Sequence, residues 1–455
     1  MDSLVKVARS RAFRRSVAVS ATALLLASAA IAAEPTLAAS SRSQQAASKV
    51  RETAAVITPS EDCLQGVPAF CYAPGPFSTA YGTQPLLQEG IDGTGETIVL
   101  PEEAVSGSTS PGISDIRTDL AAFDAMFTLP TATVQVDDTL GPTSSPWLAG
   151  AEEVEDVEVA HAVAPGASIV VDLVPATATA SPANFVSAFT GVLGLAASQG
   201  AAVVSVGASV GEQLISSAEV ASIQAALRSA TEDDITVVAS SGDSGAISDQ
   251  GPPKQVSLPA SAPLVLGVGG TSLDADPVTG AYLGETAWNF VVGVGDDDAS
   301  AGGFSGLFAR PDYQDGTVGG AARGVPDVAA DADASTGMAL VTVTTSGSET
   351  VLPATGTSAA APFWASIVAL ADQLAGHHLG FVNAGIYRIG RSPAYHQAFH
   401  AVTAGDNSVL TPSGVVTGYQ ATDGWNPVTG WGSPDAAVLV PLLVQEVHAG
   451  DAQGL

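Results

Sequence analysis

Along the chain, short and nearly continuous apolar runs alternate with longer stretches whose apolar positions recur every three to four residues. The runs ETIVLP (96–101), ASIVVDLV (167–174), AAVVSVG (201–207), ITVVASSG (235–242), LVLGVGG (264–270) and MALVTV (338–343) have the length and β-branched content of strands covered on both faces. Between them ISDIRTDLAAFDAMF, ANFVSAFTGVLGLAASQG and AEVASIQAALRSATED read as amphipathic or Ala-rich helices. Apolar strands separated by helices at this spacing predict an α/β fold, a doubly wound parallel sheet with helices on both faces. Gly- and Pro-rich stretches such as DQGPPKQVSLPASAP connect elements without dividing the domain, and no internal repeat is present. One large domain is expected over 73–445, with a short tail over 446–455.

The N-terminus departs from this pattern. Arg9, Arg11, Arg14 and Arg15 precede the apolar stretch 17–33, and Ala30-Ile31-Ala32 offers a small-x-small cleavage site. Residues 1–33 therefore read as an export signal, too short for a full membrane span. No later segment looks transmembrane, so a secreted protein without a stable membrane span is expected. Residues 34–72 are Ala/Ser-rich at first and read as a linker or short pro-segment. The two cysteines, Cys63 and Cys71, are predicted to close a local disulfide in an exported chain, and no Cys/His cluster suggests zinc.

Composition narrows the function. A hydrophobic content of 46% in 455 residues implies a large core, and 15 Lys plus Arg against 46 Asp plus Glu give a net charge of −31. Such acidity excludes nucleic acid as a partner, since that requires basic patches. It suits a soluble exported protein, or one working where many carboxylates are protonated.

Three places carry candidate chemistry. In TGTSAAAPFWASIVAL, Ser358 stands where an Ala-rich helix begins, with backbone N–H groups available to a developing oxyanion. In ITVVASSGDSGA, Asp243 follows an apolar strand in a Gly-flanked turn. In AEEVEDVEVAHAVAPGAS, five carboxylates crowd residues 152–158. On a helix at about 100° per residue, Glu152 and Asp156 share a face, and so do Glu153 and Asp156. Helix geometry alone leaves that choice open.

Taken in order, Glu-x-x-x-Asp, then SGD at a strand end, then GTSxxxP, the sequence resembles the sedolisin family of serine-carboxyl peptidases. The blocks FSTAYGTQPLLQEGIDGTGETIVL, EDVEVAHAVAPGASIVV, PASAPLVLGVGGTSL, GGFSGLFARPDYQ, RGVPDVAADADASTG and GWNPVTGWGSP extend the likeness over most of the chain. The resemblance implies a subtilisin-like fold and a serine peptidase acting on proteins or peptides, expected to be a monomer. It makes Ser358 the nucleophile, Glu152 the general base, Asp156 its partner and Asp243 the oxyanion-hole donor. Its register selects Glu152 over Glu153, leaving Glu153, Glu155 and Glu158 as solvated or structural. Glu102, just after TIVLP, falls where some members extend the carboxyl network.

The chain also departs from the family. Where members carry Ser-Trp-Gly it has Ser205-Val206-Gly207, and Ser205 and Gly207 are expected to offer backbone to substrate. Ala401 and Asn426 stand where members place calcium-binding carboxylates, so no metal or other cofactor is expected, although Asp406, Asp423 and Asp435 lie nearby. Members carry a large folded pro-domain; here only 34–72 separates the signal from the first shared block. Two other readings exist. A Ser-His-Asp subtilisin lacks its histidine block, since His161 follows Asp156 by five residues and points elsewhere, and adjacent His377 and His378 make a poor metal site. A non-catalytic secreted binding protein on the same fold is the alternative function.

Overall fold

The computed structural model describes residues 71–103, 115–141, 149–248, 253–290 and 298–451. The expected signal peptide, most of the pro-segment and Cys63 lie outside them, so the Cys63–Cys71 pairing is not placed.

Two helices, α1 (Pro74–Ala80) and α2 (Gln84–Gln88), lead into β1 (Thr97–Glu103). Then follow α3 (Ile116–Phe127), β2 (Thr133–Asp137), α4 (Ala151–Val163), β3 (Ser168–Val174), α5 (Pro182–Ala196), β4 (Val203–Val206), α6 (Ser217–Glu232), β5 (Thr236–Ser240), β6 (Leu266–Ala275), β7 (Tyr282–Ala287) and β8 (Val328–Asp331). The central sheet runs β8-β6-β5-β4-β1-β3-β2, all parallel, with β7 antiparallel on β6. This is the parallel α/β sheet that the sequence pattern predicts, in the subtilisin-like fold that the family resemblance implies.

The continuous apolar strands follow from burial on both faces. Ile98, Leu100, Ile169, Val171, Val203 and Val238 point into one core, while Val99, Val170, Val204 and Val237 alternate into the other. The second core is covered by α5 and α6. Ser181 caps α5 ahead of Pro182, and Ser216 and Glu219 form a reciprocal capping box at the start of α6.

The first core holds α4 and the long helix α7 (Gly356–Ala375), which pack together beneath the sheet. The run expected as strand 338–343 is β9 (Ala339–Val343), but it pairs antiparallel with β10 (Glu349–Pro353) outside the central sheet. Apolar content alone does not distinguish a buried hairpin from a central strand. Three strands of the sheet, β2, β7 and β8, are not among the expected runs, and β7 is buried only at its end. β2 is an edge strand with no fully buried residue, and the VAAD of β8 is too short and polar to register. After α8 (Asn383–Gly390), the chain closes with α9 (Ala436–Asp451), which runs past the expected domain boundary at 445.

Candidate active site

The site is built at the N-terminus of α7. Thr355 occupies the N-cap with extended backbone but gives no side-chain cap. The orphan N–H groups of the first turn find carboxylates from other elements instead. Asp243, in the loop after β5, accepts from Thr357 N and from Thr357 Oγ1, both at 2.8 Å through Oδ1. Glu155 of α4 accepts from Thr355 N at 2.8 Å through Oε2. The helix start is thus an anion-binding terminus already holding two protein carboxyl groups.

Glycines let these groups converge. At Gly356, where φ is +88°, a Cβ would lie 2.9 Å from Asp243 Oδ2 and 3.0 Å from Ser358 Oγ. At Gly207, a Cβ would meet Ser358 Cβ at 3.3 Å and Asp156 Oδ2 at 3.4 Å. Ser358 and Asp243 therefore border one small gap, and Ser358 and Asp156 border another.

Helix α4 presents the remaining carboxylates, and its environment overturns part of the sequence reading. Every residue from Glu153 to Val163 is buried, because the helix lies between the sheet, α7 and the β9–β10 hairpin. The helix has no solvated acidic face. Glu158 accepts from Val341 N at 2.7 Å. Glu153 turns back to accept backbone N–H groups of Gly150 and Glu153. Glu155 reaches Ser358, whose Oγ donates to its Oε1 at 3.4 Å. The signal for Glu155 is present in the sequence: it lies three residues after Glu152, on the same helical face.

Glu152 is exposed at the rim and makes no hydrogen bond among the described residues. Burial of its carboxyl by surrounding atoms, then repulsion from Glu153, Asp243 and Glu103, push it up to about 7. Because the side chain stands open at the rim, water moderates the burial contribution, and repulsion among the carboxylates is the firmer cause of the upward direction.

Asp156 and Glu102 form a buried pair. Glu102 is held well above the carboxylate range, chiefly by burial and then by Asp156, Glu153 and Glu152. Asp156 is also raised, by burial and by Glu152, against the hydrogen bond from Glu102. A proton resident on Glu102 and donated to Asp156 accounts for both directions. Asp156 is therefore tied to Glu102, near Glu152 and beside Ser358.

The expected substrate edge is reduced. Ser205 is fully buried and pairs with Val238 inside the sheet, so it cannot meet substrate. Gly207 is half-buried, borders Ser358, and accepts from Ser240 Oγ at 2.6 Å through its carbonyl. His161 is a structural residue, packed with Nε2 at 2.9 Å from both Asp124 Oδ1 and Pro130 O.

Near the C-terminus, the Asn426 amide is engaged within its own loop. Asn426 is buried and donates through Nδ2 to Thr422 O at 3.0 Å and Thr429 Oγ1 at 3.1 Å. Its Oδ1 accepts from Val428 N and Thr429 N at 3.0 Å. The amide thus ties this loop internally, and Ala401 offers no side-chain oxygen. No cluster of three or more His, Cys, Asp or Glu able to hold a metal ion occurs among the described residues. Within them, no helix is long and apolar enough to cross a membrane.

A sheet of this topology with a serine at a helix start facing carboxylates is a subtilase arrangement, and the subtilase family model matches residues 146–399. Kumamolisin from Bacillus sp. (strain MN-32) is 33% identical over 82% of this chain and 64% of its own length. Sedolisin from Pseudomonas sp. (strain 101) is 35% identical over 45% of this chain and 34% of its own. Among solved structures, Pseudomonas sedolisin, a serine-carboxyl proteinase complexed with pseudo-iodotyrostatin, aligns at a TM-score of 0.65 and 25% identity, covering 82% of this chain and 98% of that one. The chain belongs to the sedolisin family of serine-carboxyl peptidases within the subtilase fold. It spans less than two thirds of the length of these curated relatives.

Proposed function

We propose that this protein is a secreted peptidase that hydrolyses protein or peptide bonds in acid through a Ser358 acyl-enzyme. The observation that carries the reading is the meeting of Ser358 Oγ and Asp243 Oδ2 across the gap left by Gly356. In this mechanism Ser358 Oγ attacks the scissile carbonyl carbon while its proton passes to Glu152. Asp156, held by Glu102, steadies the proton on Glu152. The carbonyl oxygen becomes an oxyanion facing the Ser358 N–H and Asp243. Asp243 Oδ1 is already occupied as an acceptor from Thr357, so the proton donated to the oxyanion resides on Oδ2. Glu152 then delivers its proton to the departing amine, the C–N bond breaks, and water repeats the sequence in reverse to release the acid.

The residue types fit acid conditions. Asp243 serves only in its protonated form, which acid favours, while Glu152, raised by its carboxylate neighbours, accepts the serine proton through its ionised fraction. Activity is expected to fall as pH rises and Asp243 ionises. Calcium is not required in this reading, because the Asn426 amide occupies the loop that a cation would bind, so a chelator leaves the melting temperature unchanged.

The test is hydrolysis of an unfolded protein from about pH 2 to pH 8, wild type against Ser358→Ala and Glu152→Ala. Acid-limited cleavage lost in both variants supports the mechanism. Absence of cleavage by folded protein at every pH would favour a binding protein on this fold, and full activity at neutral pH would contradict the assigned role of Asp243.

A further inference from the structure

The mechanism above leaves one group at the nucleophile without a task. Glu155 is 5% exposed and bridges two points of α7: Thr355 N at the cap, and Ser358 Oγ three residues later. Among the described residues, Ser358 Oγ has one other hydrogen-bond acceptor, the carbonyl of Thr355 at 3.5 Å. The cap bond fixes one carboxyl oxygen, and the rigid carboxyl plane then fixes the other beside the reacting hydroxyl. At 3.4 Å the second contact is long for O–H···O, as hydrogen bonds of a resting site commonly are before substrate tightens them.

We propose that Glu155 is a positioning residue that sets the direction of the Ser358 hydroxyl. Protonated at Oε1, it donates to Ser358 Oγ and leaves the serine proton free to point at Glu152. Ionised, it accepts that proton's hydrogen bond and draws it away from Glu152. The bond changes of the reaction are those already given; Glu155 neither gains nor loses a proton during turnover.

This inference rests on the serine-carboxylate reading and deepens it. The groups facing Glu155 favour the protonated form in acid. Asp156 and Glu152 on its own helix and Asp243 from the β5 loop are all carboxyls, with Glu102 of β1 behind Asp156, and the Thr355 N–H is the opposing donor. Burial together with this repulsion holds Glu155 well above the ordinary carboxylate range.

The experiment compares kcat and KM against pH for wild type, Glu155→Gln and Glu155→Leu, with Ser358→Ala and Glu152→Gln as controls. Loss of one orienting hydrogen bond is expected to lower kcat of Glu155→Leu about tenfold with little change in KM. Glu155→Gln keeps an acceptor for Thr355 N and a donor toward Ser358, so its loss is smaller. In wild type, ionisation of both Asp243 and Glu155 steepens the alkaline limb of log kcat beyond a single proton. In Glu155→Gln it relaxes to a one-proton slope. A residue that merely supports the helix start moves the melting temperature and leaves both the limb and the kcat–KM split alone, and that result would overturn the proposal. If Glu155→Leu does not fold, the slope of Glu155→Gln decides. Activity retained in Ser358→Ala or Glu152→Gln would instead sink the underlying mechanism. Activity lost in both controls, with both Glu155 variants matching wild type, would sink the Glu155 assignment alone.

Discussion

Replacing Asp172 by an asparagine should make the protein less sensitive to rising pH. Asp172 lies in the middle of β3, 1% exposed, opposite Asp137 on β2. Gln199 Nε2 donates to its Oδ1 at 2.5 Å, and Oδ2 has no partner among the described residues. Burial pushes its carboxyl up from 3.8 to about 6, helped by Asp137 and opposed by Gln199. Between those two values the unfolded chain is ionised while the native protein holds its proton. The native state therefore binds more protons, and stability falls as pH rises through that window. A gap of roughly two pH units at about 1.4 kcal/mol each gives ~3 kcal/mol, fully present below pH 3.8 and lost once pH exceeds about 6. The amide of Asp172→Asn has no such proton to lose. Urea unfolding at pH 3, 5 and 7, in the Ser358→Ala background to prevent self-digestion, measures the difference. The stability of the variant relative to its parent should rise by up to ~3 kcal/mol from the lowest to the highest pH. A difference independent of pH would refute the reasoning.

Other perturbations test the site and its frame. Gly356→Ala places a methyl group in a left-handed backbone position and against Asp243 Oδ2 and Ser358 Oγ. A cost of ~1–2 kcal/mol in stability is expected, together with a drop in kcat larger than that in Gly347→Ala, where φ is also positive but a Cβ meets nothing within 4 Å. Arg323→Met strands Asp327, a fully buried carboxylate that accepts from both Arg323 terminal nitrogens, Gly267 N and Tyr387 Oη. Chemical denaturation should show a loss of about 3–5 kcal/mol. Asn426→Asp removes the donors that tie Thr422 O and Thr429 Oγ1. A loss of ~1–3 kcal/mol in calcium-free buffer is expected from thermal or urea unfolding.

The fold was legible because β1, β3, β4, β5 and β6 are buried on both faces, so their apolar runs stand out from the helices between them. β2 and β8 do not stand out: one is an edge strand with a half-polar pattern, the other four residues closed by Asp331. Ser358, Asp156 and Asp243 could be located from turn chemistry, helical spacing and family likeness. Glu155 could not be separated from its neighbours in that way. Its place depends on α7 packing across α4, a tertiary relation that one helix's periodicity does not encode. The same packing explains why five acidic residues in seven form no solvated face. Ser205 reads like an exposed strand end but pairs inside the sheet, because β5 runs alongside it as far as Val238 and beyond.

The central claim is that a carboxylate activates Ser358, and labelling by a fluorophosphonate measures this without any assumption about substrate. Rates of covalent labelling, followed by intact mass and peptide mapping, should place the adduct on Ser358. Labelling should vanish in Ser358→Ala and slow about a hundredfold or more in Glu152→Gln, in keeping with loss of a general base. An adduct on another residue, or a Glu152→Gln rate equal to wild type at every pH, would contradict the account.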